Sequence, residues 1–174
     1  MSWTIEEIER EWLCGEPSYL PADDVLRAFD AAEQVRGREW VLSTTVLPGG
    51  GRQWGFSPFM RVFALGRRVQ VVLGAPGAEA LLRRLIEDDP AAESELTAIY
   101  LLCSRHPEAE VEIGPVVTVG DRNRRPDFRI RSGAGPWMYV EVTRLNRSTA
   151  SVRTQEALHL IAGQVISVLK PFLL

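Results

Sequence analysis

The chain is poor in the residues that anchor most covalent and transition-metal chemistry. Among 174 residues there are two cysteines, Cys14 and Cys103, and two histidines, His106 and His159. Two cysteines build no disulfide framework. Cys103 and His106 have a metal-like spacing but lack a second pair nearby, which argues against zinc. With no Ser/His/Asp context of any credible kind, nucleophilic acyl chemistry has no support. Lysine is rarer still: Lys170 is the single one, so 19 of 20 basic residues are arginine. No stretch approaches the roughly 18 apolar residues of a membrane-spanning helix. The first residues are acidic and amphipathic, unlike a secretory signal. Gly49-Gly50-Gly51 lacks the Gly-Lys-Ser/Thr ending of a phosphate-binding loop and reads as a mobile loop tip. These absences lead to the expectation of a cytoplasmic protein with no membrane partner.

What is present is the ordinary mix of a soluble globular chain, 45% apolar and 25% charged. The net charge is −3, but it is unevenly spread. Residues 1–104 carry 10 Arg against 16 acids, whereas residues 105–174 carry 9 Arg and 1 Lys against 7 acids. The second part is therefore the one suited to a polyanion. Arginine favours bidentate phosphate contacts, although so strong a bias also fits a GC-rich coding sequence.

Residues 4–13 read as a short helix, with Thr4 and Glu7 forming a capping box and Ile5, Ile8 and Trp12 on one face. Asp23 or Asp24 is expected to cap a second helix that ends at Gly37. Residues 39–47 read as a strand, and 59–65 with 68–73 as a hairpin about Gly66-Arg67. Residues 54–56 beside Arg52 form an aromatic–basic loop, expected to clasp the core, with base stacking as the other reading. Helices follow at 78–87 and 91–104, separated by Asp88-Asp89-Pro90. Then come a strand over 111–119 interrupted by Gly114-Pro115, a basic loop over 121–125, strands at 126–131 and 137–143, and a long helix near 151–169.

The two strands around the turn at 132–136 hold the most informative pattern. A symmetric hairpin centred on Ala134 sets Phe128 opposite Val140 and Ile130 opposite Met138, an apolar face. The other face then pairs Arg129 with Tyr139 and Asp127 with Glu141. A one-residue slip would drive the carboxylates into the core, so the alternation specifies the register. Opposed residues have Cβ atoms roughly 4.5–5.5 Å apart, and like charges so placed repel. A proton, an arginine or a divalent cation would relieve Asp127 and Glu141. Magnesium suits a carboxylate pair completed by water and phosphate. A solvated hairpin balanced by Arg125, Arg129 and Arg144 is the other reading.

The order helix, strand, Pro126-Asp127 strand, Glu141-Val142-Thr143 strand, helix resembles the PD-(D/E)XK nuclease superfamily over roughly residues 90–170. The resemblance implies an α/β (α+β) fold: a restriction-endonuclease-like three-layer core, its central mixed sheet flanked by helices. Residues 76–174 would form that core, and residues 1–75 an N-terminal α+β appendage. It implies a Mg²⁺- or Mn²⁺-dependent nuclease acting on nucleic acid, DNA in preference to RNA. Asp127 and Glu141 would be metal ligands and Val142 would lend its carbonyl. Glu95 would be the acid on the preceding helix; Glu93, about 200° around that helix, cannot face the same site. Arg122, Arg124 and Arg125 would contact nucleic-acid phosphates, and Gln155 is a further polar candidate.

Two departures stand out. Thr143 occupies the position of the family's lysine; its hydroxyl can orient water but brings no positive charge. Arg144, Arg147, Arg153 or Arg125 are candidate replacements. The family's last strand has only residues 171–174 left to form it, so the sheet is expected to lack a strand, to borrow one, or to reflect a truncated coding sequence. An incomplete sheet edge favours self-association. The alternative function is a nuclease-like scaffold without catalysis, serving as a nucleic-acid or protein interaction module.

Overall fold

The structure is a computed structural model, and it describes residues 3–47 and 51–143. Helix α1 (Ile5–Trp12) begins where the Thr4 hydroxyl accepts the Glu7 N–H at 3.1 Å, the expected cap. Helix α2 (Ala22–Arg36) is capped by Pro21 rather than by an aspartate side chain; Asp23 and Asp24 occupy its first turn, where their charge suits the helix dipole. Gly37, at φ +79°, ends α2 as expected.

The chain then re-enters a helix instead of a strand. Helix α3 (Arg38–Ser43) replaces the strand expected at 39–47, because Val41, Thr44 and Thr45 bury on one side at helical spacing. Strand character survives only as a single bridge between Val46 and Arg52. The expected hairpin about Gly66-Arg67 is likewise one continuous helix, α4 (Phe56–Val72). Phe59, Val62, Leu65, Val69 and Val72 recur every three or four residues and are all buried. Gly66 serves close packing, not a turn: a Cβ there would overlap the Ala28 carbonyl and lie 2.7 Å from Ala28 Cα on α2. The region expected to be α+β is thus helical. The loop tip read at Gly49-Gly50-Gly51 lies largely outside the described residues.

Helix α5 (Ala78–Ile86) and helix α6 (Pro90–Arg105) follow the expected break. Asp89 caps α6 by accepting the Ala91 N–H at 2.9 Å, with Pro90 at the first helical position. Strands β1 (Ala109–Ile113), β4 (Phe128–Ser132) and β5 (Met138–Val140) form an antiparallel sheet in the order β1-β4-β5. Strands β2 (Val117–Val119) and β3 (Arg122–Arg124) form a separate two-stranded ribbon, so the expected basic loop is half strand. The class is mixed α+β. The sheets of the described residues are antiparallel, not mixed, because short turns rather than helical crossovers join successive strands.

Residues 1–142 form one unit and residues 143–174 another. Within the first, one hydrophobic core runs from Trp3 through α2, α4, α5 and α6 to Phe128 and Ile130, without a break at the expected boundary at 75/76. Its N-terminal end is aromatic: Trp12 meets Phe29 edge-on at 5.0 Å and Trp3 at 5.5 Å. The buried Trp12 Nε1–H donates to Thr44 Oγ1 at 3.0 Å, so burial leaves that donor satisfied. Among the described residues, no helix is long and apolar enough to cross a membrane.

Candidate metal and nucleic-acid site

Strands β4 and β5 pair in the expected register, Phe128 with Val140, Arg129 with Tyr139 and Ile130 with Met138. Phe128 and Ile130 are buried from β4, as are Val111 and Ile113 from β1, so one sheet face belongs to the core. The alternation that buries those residues sends Arg129, Arg131, Glu110 and Glu112 to the other face. There Arg129 Nε donates to Glu112 at 2.8 Å and Arg131 Nη2 to Glu110 at 2.6 Å. The Glu112 carboxylate holds the Arg129 guanidinium above its usual range. Trp137 lies under both guanidiniums, 4.3 Å from Arg129 and 4.5 Å from Arg131.

The ladder stops at Phe128–Val140, one step short of the expected Asp127–Glu141 pair. Strand β5 has ended by then, earlier than the expected limit at 143. A side-chain contact takes over: Asp127 Oδ2 accepts the Val142 N–H at 2.6 Å. Asp127 is half-buried, Glu141 and Thr143 are exposed, and Val142 is half-buried against the core. Ion pairs among the described residues engage neither Asp127 nor Glu141.

Glu95 is placed elsewhere. It is 5% exposed on α6, and the Arg84 guanidinium of α5 grips both its oxygens, at 2.8 and 2.9 Å. Arg84 also reaches Asp89 at 2.7 Å, holding that carboxyl below the usual carboxylate range. Glu95 and Asp89 in turn push the Arg84 guanidinium well above its own. Glu93 points the other way around the helix and pairs with Arg36 at 2.9 Å. Among the described residues, no three His, Cys, Asp or Glu side chains are gathered to hold a metal, so Glu95 does not close a triad with Asp127 and Glu141.

Arg122, Arg124 and Arg125 are all exposed, the first two on β3 and the third just before β4. Trp54 and Phe56 are 49% and 65% exposed, so they do not clasp the core; Arg52 sits 5.9 Å over the Trp54 ring. Gln155, Arg144, Arg147, Arg153, His159 and Lys170 lie outside the described residues.

Two features escaped the sequence reading. The Arg84–Glu95 pair joins side chains eleven residues apart on two helices, with no local pattern to mark it. The Glu–Arg ladder did have a signal: alternating Glu110-Val111-Glu112 matches Arg129-Ile130-Arg131 as two strands of opposite charge. No protein-family description, curated protein or solved structure matches the chain.

Proposed function

We propose that the chain is a divalent-metal-dependent, nuclease-like protein that hydrolyses phosphodiester bonds in nucleic acid, with DNA the first substrate to test. What supports this reading is the β4–β5 register, which extended one step past Phe128–Val140 would set Asp127 opposite Glu141, neither of them in an ion pair among the described residues. Repulsion between such carboxylates is relieved by a hard cation. The candidate donor set suits one, being all oxygen: the Asp127 and Glu141 carboxylates and the Val142 carbonyl. Two carboxylates suffice where water and substrate phosphate complete the shell. Asp127 and Glu141 would hold Mg²⁺ or Mn²⁺, which neutralises phosphate charge and acidifies water.

The chain's own contributions are positional. The Val142 N–H holds one oxygen of Asp127 and thereby orients the other. A threonine hydroxyl such as that of Thr143 can orient a water but adds no positive charge. Arg122, Arg124 and Arg125 bind the nucleic-acid backbone, supplying affinity without sequence preference. A second reading, a scaffold that binds without cleaving, draws on the engagement of Glu95 by Arg84 and on Thr143 at the lysine position.

The test combines cleavage of labelled single- and double-stranded DNA in Mn²⁺ with thermal unfolding. Saturation at 100 times the dissociation constant stabilises by about 2.7 kcal/mol, a rise of roughly 5–10 °C at this size. Wild type is expected to cleave and to shift, and Asp127→Ala and Glu141→Ala to do neither while remaining folded. Near-wild-type cleavage by both variants would refute the assignment. DNA retention that weakens steeply with salt, without cleavage or shift, would establish the binding scaffold instead.

A further inference from the structure

The outer edge of β1 is a feature independent of the nuclease reading. Strand β1 ends the sheet, and its inner side is fully used by β4. Just past it, the Gly114 N–H donates inward to the Asp127 carbonyl at 2.8 Å. The Ile113 N–H points the other way and donates to the Pro76 carbonyl at 2.8 Å. Backbone groups alternate in direction along an antiparallel strand, so the Val111 N–H and C=O face outward like those of Ile113. Among the described residues, no group bonds either one. Beside this edge runs a cleft of about 910 Å³ whose lining includes Val71, Leu73, Pro76, Tyr100 and Cys103. The chain itself already uses this edge twice, at Ile113 and at Ala109, whose N–H donates to the His106 carbonyl at 2.9 Å, which leaves Val111 as the free outward position among the described residues.

Side-chain chemistry specifies the occupant. Residues directly opposite each other in a sheet share a face. On the inner side, Glu112, Val111 and Glu110 meet Arg129, Ile130 and Arg131. The outer side presents the same Glu-Val-Glu row, and the Glu110 side chain is still 55% exposed after its pairing with Arg131. A strand added there places an apolar side chain next to Val111, toward Val71, Tyr100 and Cys103, with its neighbours over the two glutamates. Arg67, which also lines the cleft, lies 3.7 Å from Asp24 and is partly offset by it.

We propose that the outer edge of β1 binds an extended basic–apolar–basic segment of a partner protein by strand addition. The test uses the full chain and a fluorescein-labelled peptide copying residues 127–133, read by fluorescence polarisation and amide hydrogen exchange. Binding is expected to saturate, with protection gained at Val111 and none lost at Ile130. N-methylation of the peptide isoleucine, which removes one main-chain donor and leaves the charge intact, should weaken binding about tenfold. Replacing both peptide arginines by glutamate should abolish it, and Glu110→Arg should weaken the parent peptide.

Three results would overturn the proposal: no saturable binding, equal affinity of the N-methylated peptide, or loss of protection at Ile130, which would mean displacement of β4. A peptide-sensitive dimer in sedimentation velocity would also overturn it, by showing that the edge serves a second copy of this chain.

Discussion

Replacing Glu95 separates a structural acid from a catalytic one. In Glu95→Ala, Arg84 loses two charge-assisted hydrogen bonds of 2.8 and 2.9 Å. Breaking a fully buried pair costs about 3–5 kcal/mol, because the surviving charge is stranded. Here the carboxylate side chain is 6% exposed but the guanidinium side chain is 38% exposed, and Arg84 keeps Asp89 at 2.7 Å. Water and Asp89 therefore recover part of the loss, and about 2 kcal/mol remains. At this chain length that lowers the melting temperature by roughly 4–8 °C. Glu95→Gln keeps the volume and one acceptor, and should lose about half as much. The assay is calorimetry of the two variants beside wild type, with Mn²⁺-dependent cleavage measured below their melting points. The expected pattern is lower stability with cleavage per folded molecule preserved. Melting within about 1 °C of wild type, or cleavage lost at unchanged stability, would refute the argument and return Glu95 to the reaction.

Gly66→Ala sets two effects against each other. Helix propensity alone would gain about 1 kcal/mol, but the new methyl meets the α2 backbone at Ala28. Backbone cannot yield as a side chain can, so a net loss of about 2 kcal/mol in urea unfolding is expected; a stabilised variant would show that the helices separate freely. Asp89 has a carboxyl held below its ordinary value by Arg84 and by the Ala91 N–H. Its contribution is therefore complete above the unfolded-state value and fades as pH falls through the folded one. Asp89→Asn should flatten the acid limb of stability against pH, measured by urea midpoints from about pH 5 to about pH 2, and an unchanged limb would contradict the pairing.

The hairpin was legible in the sequence because side chains in a strand alternate with period two. Phe128, Ile130, Met138 and Val140 could share a face in only one register, and the three observed pairs keep it; the expected Asp127–Glu141 pair lies one step past the last of them. The Thr4 cap was legible for a similar local reason, its hydroxyl bonding an amide three residues on, whereas the cap expected of Asp23 or Asp24 did not form. The stretch around Gly66 was not. Apolar residues at 59, 62, 65, 69 and 72 fit a helical face, yet a central glycine also fits a turn, and only the approach of α2 distinguishes the two. The isolated carboxylates were equally ambiguous. Glu95 sits one helical step from the residues that bury α6, a position compatible with a site or a core. Its role was decided by Arg84, which α5 delivers from a different helix. Short-range pattern thus determined the hairpin register and the start of α1 by itself. The choice between strand and helix at α4, and between ion pair and metal acid at Glu95, required the partners that only tertiary packing supplies.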